Sequence, residues 1–172
     1  CNRRSRSSRS GYNLFIIDQR TTEMTNTTIK EPTFNIPHSF WIAIGLNMVW
    51  INLSEVFRYF AFVMPMMRDA FPMLPSVAPM NIPVFLIWGV WDTILVVSVC
   101  TIAWLSLTKF GTTMRMVLLT ASGIWASIFV ILWLGLFNMN LASASIVMVA
   151  LPLAWLEMFV AVIIIRWAMM RE

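Results

Sequence analysis

The chain has 172 residues, 59% of them hydrophobic and 12% charged, with a net charge of +4. A soluble domain carries about 25% charged residues, so a water-soluble fold of this sequence would have to expose most of its apolar surface. The composition defines an all-α integral membrane protein. The apolar runs are long and lack period-two alternation, which argues against a β-barrel.

Residues 1–36 are polar. CNRRSRSSRS holds four arginines and four serines with no apolar face, which predicts a disordered basic tail. Met24 opens a second plausible start. Residues 1–23 therefore read as non-native sequence, upstream translation or a genuine tail, with a non-native or unstructured segment favoured.

A membrane domain is expected over 37–172, with spans at about 40–64, 82–107, 116–137 and 144–169. Each reaches the roughly 20 residues needed to cross the hydrocarbon core. The result is a four-transmembrane-helix bundle. Lys30 and the tail arginines precede span one, Lys109 and Arg115 separate spans two and three, and Arg166 and Arg171 close the chain. The connection after span one has Arg68 offset by Asp69, and the one after span three has no Lys or Arg. The positive-inside rule then places the N and C termini in the cytoplasm. The expected location is the bacterial inner (cytoplasmic) membrane.

The connection between spans one and two includes Pro65, Pro72, Pro75, Pro79 and Pro83 and is too apolar for an ordinary solvated loop. It reads as a cap on the bundle, an interfacial segment or a docking surface. Asn138-Met139-Asn140 predicts a tight turn between spans three and four. Gly123 with Ser127, and Ala150 with Ala154, have the small-xxx-small spacing that lets helix backbones approach. Pro152 inside span four removes a donor and predicts a kink.

Five ionisable residues lie within these spans: Glu55, Arg58, Asp92, Glu157 and Arg166. A charge at bilayer depth is costly, so such residues face a bundle interior and mark function or a structural pair. At about 100° per residue, Asn47, Ser54, Glu55 and Arg58 share one sector, flanked by Asn52 and Tyr59. Glu55 and Arg58 are also spaced to pair along one helix. The plain structural reading is that this pair neutralises itself while Asn47 and Asn52 bond a neighbouring helix. Arg166 falls near a span end, where snorkelling accounts for it.

Glu55 and Asp92 each lie roughly 4–5 Å outward of their span centres, at 1.5 Å per residue, and Glu157 lies near the middle of span four. One outer-half cluster of Glu55, Arg58, Asp92 and Glu157 is therefore possible. Three carboxyls would face one guanidinium there, a balance untenable at low dielectric if all are ionised. Either one or two carboxyls keep a proton, or a cation or amine-bearing ligand completes the charge. Alternatively Asp92 is held by local hydrogen bonds, with the indoles of Trp88 and Trp91 as donors.

Methionine is the second anomaly. Met64, Met66, Met67, Met73 and Met80 crowd the outer end of span one and its loop. Thioethers suit Cu(I), but no Cys or His in that loop completes a site. An adaptable apolar lid or interface is the stronger reading. His38 is the only histidine, which excludes a haem held by two histidines of this chain; no cofactor is otherwise indicated. Cys1 and Cys100 give no disulfide framework. There is no phosphate loop, nucleophile elbow or zinc spacing, so hydrolase chemistry is not expected.

Three readings follow. The first is a small polytopic membrane protein that binds or moves a proton, a cation or a small amphipathic solute at Glu55, Arg58, Asp92 and Glu157. The second is a non-catalytic accessory or assembly subunit of a membrane complex, docking through the Met/Pro-rich loop. The third is a membrane enzyme acting on a lipid or quinone-like substrate. The expected partners are the lipid bilayer and a second copy or a larger membrane complex, and no nucleic acid.

Overall fold

The computed structural model describes residues 37–74, 77 and 79–171. The expected tail, with Lys30 and the possible start at Met24, lies outside the described residues. Four helices dominate: α1 (His38–Ala70), α2 (Ile82–Phe110), α3 (Met114–Asn138) and α4 (Ala144–Met169). All four are long and apolar enough to cross a membrane. No strand occurs among the described residues.

Local chemistry fixes the ends. Asn81 caps α2 by accepting the Val84 N–H at 3.1 Å, and Pro83 occupies the first turn, where its missing donor costs nothing. Gly111 ends α2 at φ 92°, a conformation open to glycine without a Cβ clash. The Thr113 hydroxyl then accepts the Met116 N–H at 3.4 Å and starts α3. Asn140 turns the chain into α4 at φ 57°, and the Leu141 N–H closes the end of α3 on the Leu136 carbonyl at 2.8 Å.

One boundary differs clearly from the sequence expectation. Helix α1 does not stop near residue 64 but runs through Pro65 to Ala70. A π-helical turn at Tyr59–Val63 precedes the proline, and the Met64 N–H bonds the Tyr59 carbonyl five residues back. The widened turn gives the proline ring room, and Pro65 has no donor to lose. The Met/Pro-rich segment is thus partly helix, and the irregular connection begins only at Phe71. A second π-helical turn, Ala126–Val130, interrupts α3. There the Ser127 hydroxyl bonds back to the Gly123 carbonyl at 2.7 Å, a contact that competes with the helix ladder.

Helix α4 is the hub. It packs against α1, α2 and α3, while α1 also packs on α2 and α2 on α3. Among the described residues no comparable packing joins α1 to α3. The core is lined by small and β-branched residues: Ala43, Val96, Val99, Ala103, Ala121, Ala154, Ala161 and Val162 are all fully buried. The outer faces are apolar. Val49, Leu53 and Phe57 on α1 and Leu119 and Ile131 on α3 are each 60% exposed or more. In water this would be an association surface; in a bilayer it is the lipid face.

The two small-residue pairs part company. Ala150 and Ala154 are fully buried against neighbouring helices, as expected. Gly123 and Ser127 face outward, and a Cβ added to Gly123 would meet nothing within 4 Å. The expected close approach at Gly123 is therefore absent among the described residues. Pro152 lies inside a helix that continues for 26 residues.

Candidate functional site

The polar stripe of α1 meets α4 along its length. Asn47 donates to the Ala161 carbonyl at 3.3 Å and to Cys100 Sγ at 3.5 Å. One turn further on, Trp50 Nε1 donates to the Glu157 carbonyl at 3.1 Å. Ser54 then donates to Glu157 Oε2 at 2.8 Å, and Arg58 Nη1 stands 3.2 Å from the same oxygen. Residues 47, 50, 54 and 58 follow the three-four spacing of one helix face, so a single stripe engages both the backbone and the carboxyl of α4.

Arg58 is the centre of this arrangement. Its Nη2 donates to Glu55 Oε1, its Nη1 forms the ion pair with Glu157, and the Phe129 ring covers the guanidinium at 5.2 Å. The Nη1–Glu157 contact is within ion-pair distance but is not aligned as a hydrogen bond. Glu157, 1% exposed, therefore has an assigned cation. Among the described residues its second oxygen, Oε1, has no hydrogen-bond partner, and neither has Asn47 Oδ1. Each is a buried acceptor lacking a donor, which is costly in a dry interior.

Asp92, on α2, is 4% exposed. The charges of Glu55 and Arg58 act on its carboxyl, and its own charge acts on Glu157. Glu55, Arg58, Asp92 and Glu157 are thus brought into one electrostatic neighbourhood. The indole donors expected for Asp92 are not supplied. Trp88 packs edge-on against Tyr59 at 4.9 Å, Trp91 is 55% exposed, and neither donates to Asp92 among the described residues.

A cavity of about 600 Å³ opens beside the cluster, walled by α1, α2 and α3 with Phe71, Leu74, Val77 and Met80 of the α1–α2 connection. Glu55, Arg58 and Tyr59 reach it from α1, Trp88 and Trp91 from α2, and Phe129 and Trp133 from α3. It occupies the gap left where α1 and α3 do not pack together. Both π-helical turns border it, through Tyr59 and Val63 on one side and Phe129 on the other. Such turns recur at functional sites because they displace side chains from helical register.

Other expected residues fall elsewhere. Asn52 does not reach a neighbouring helix; its amide donates to the Met48 carbonyl of its own helix at 2.8 Å. An unsatisfied carbonyl one turn back is the nearer acceptor. Of the five methionines, Met67 and Met80 line the cavity, while Met64, Met66 and Met73 do not, and Met73 is 91% exposed. Arg166 donates from Nε to the Thr112 carbonyl at 2.8 Å, securing the α2–α3 turn. Sequence reasoning missed Trp50 and Phe129. The signal for Trp50 was its place on the Asn47–Ser54–Arg58 face; Phe129 had none, being one aromatic among many.

A scan against protein-family models finds no match, and searches of curated proteins and of solved structures find no similar chain. The fold by itself defines the class: an integral membrane protein built as a bundle of four apolar helices.

Proposed function

We propose that this protein binds a proton, a small cation or an amphipathic solute at Glu55, Arg58, Asp92 and Glu157. One observation carries the reading: Arg58 pairs with both Glu55 and Glu157, and a third carboxyl, Asp92, lies buried within electrostatic reach of them, next to an open cavity. Fully ionised, the set would hold a net charge of about −2 in a medium that penalises each unpaired charge by several kcal/mol. Bound protons or a bound cation remove that penalty. Glu55 and Asp92 exchange the proton or meet the ligand, Arg58 holds the carboxylates in place, and Glu157 extends the path toward the middle of the bundle. The unpartnered Glu157 Oε1 supports this role.

Both termini lie in the cytoplasm on this proposal, and the membrane is the cytoplasmic one, following the Lys/Arg distribution. Phe71, Leu74, Val77 and Met80 of the α1–α2 connection act as the cavity's lid. Their place along the cavity favours a lid over the docking surface of an accessory subunit.

The test is carboxyl infrared spectroscopy with cation-binding measurements in nanodiscs. Protonated-carboxyl bands should change on adding a binding cation, with protons released. Binding should weaken as pH falls, because protons and cations compete for the same oxygens. Glu55→Gln and Asp92→Asn should each remove the response. Folded Glu55→Gln and Asp92→Asn proteins that keep every binding property of the parent would sink the proposal.

A further inference from the structure

We propose that the cavity between α1, α2 and α3 takes a lipophilic monovalent cation, its charge against Glu55 and its apolar body against the tryptophans. This rests on the cluster reading above and adds the class of ligand.

Size comes first. About 600 Å³ is within the range of roughly 300–1,000 Å³ typical of sites for drug-sized molecules. A bare inorganic ion at Glu55 would leave most of that volume without an occupant.

Sign comes from which charged atoms a ligand can reach. The Glu55 side chain is 14% exposed and that of Arg58 8%. Arg58 Nη1 is buried, Nη2 is committed to Glu55, and Phe129 covers the ring of charge. An anionic headgroup entering the cavity therefore meets a carboxylate and no free guanidinium. Arg68, whose charge reaches Tyr59, is exposed and does not line the cavity. At low dielectric such a difference in sign decides between ligands of equal shape.

The walls supply the remainder. Trp88, Trp91, Trp133 and Tyr59 present aromatic surface, and tryptophan faces attract cations most strongly among the aromatic side chains. A neutral lipid would satisfy the walls but bring no charge to meet the cavity-facing Glu55 carboxylate. A cation with apolar substituents satisfies both.

Tetraphenylphosphonium and tetraphenylborate test this directly, since they match in shape and differ in sign. Binding is read by tryptophan quenching in zwitterionic nanodiscs, with empty discs as background. The expected result is saturable binding of the phosphonium, at least about tenfold tighter than that of the borate. Glu55→Gln should abolish it. Leu132→Trp, which fills the cavity, should weaken it while leaving the carboxyl infrared response intact. Equal or tighter saturable binding of the borate overturns the inference, as does phosphonium uptake no greater than that of empty discs. If either occurs while the carboxyls still respond to protons, the ligand class is wrong and the cluster reading stands. Loss of the carboxyl response as well sinks both.

Discussion

Arg58 holds two carboxylates at once, and the consequences of removing it differ from those of removing the set. In Arg58→Met the buried Glu157 carboxylate and the half-buried Glu55 carboxylate lose their shared cation. Breaking a buried ion pair on one side costs about 3–5 kcal/mol, so the thermal midpoint in detergent should fall sharply. The triple variant Glu55→Gln, Arg58→Met, Glu157→Gln removes every charge of the pairings. It should regain most of that loss, because neutral replacement of a whole buried set is often close to isoenergetic. A triple variant as unstable as the single one would show that shape, not charge, is what Arg58 contributes. This residue-scale logic was half legible in the sequence. The i, i+3 spacing identified Glu55 with Arg58, but the choice of Glu157 over Asp92 as second partner depends on how α1 meets α4, which spacing along one helix does not encode.

At the scale of elements, α1 and α4 form one seam in which polar atoms recognise backbone as well as side chains. Ala161 is fully buried there and its carbonyl accepts from Asn47. Ala161→Leu should cost about 1–3 kcal/mol by overpacking and lower the unfolding midpoint. Gly123→Ala, on an outward face with no neighbour within 4 Å, should change stability by less than about 0.5 kcal/mol. Equal destabilisation by both would place the tight helix contact on the wrong face. Small-residue spacing thus named two pairs, of which only Ala150 with Ala154 lies inside. The motif records where backbones could approach, while burial depends on which face the loops and neighbouring helices enclose. Hydropathy located all four spans, since length and apolar content decide membrane crossing. It misjudged the end of α1 because Pro65 reads as a stop unless the turn before it is widened.

For the molecule as a whole, a four-span bundle with a short α2–α3 turn and a longer, apolar α1–α2 connection has two unlike ends. Lys109, Arg115, Arg166 and Arg171 gather at the α2–α3 end, against Arg68 beside Asp69 at the other, and Arg166 is bonded to the Thr112 carbonyl there. In a Cys1→Ser background, a cysteine at Met139, which is 61% exposed, should react with an impermeant maleimide on intact cells. One at Phe110, equally 61% exposed, should react only after lysis; the opposite pattern would invert the topology. Cys100 is buried and should stay silent in both.

The widened turn in α1 also sets a phase. In an unbroken α-helix at about 100° per residue, Glu55 and Met67 would point about 120° apart. One extra residue in the turn at Tyr59–Val63 takes back about 100° and returns Met67 to within about 20° of Glu55. Both then reach the same cavity, as observed. The helix therefore carries two hydrophobic phases joined by a single-residue insertion. Its vulnerability is one of register along the helix: closing the widened turn at constant length would leave the span long enough to cross the bilayer while turning Met67 about 100° away from the cavity, whereas deleting one residue between Tyr59 and Val63 would remove the insertion and keep the phase.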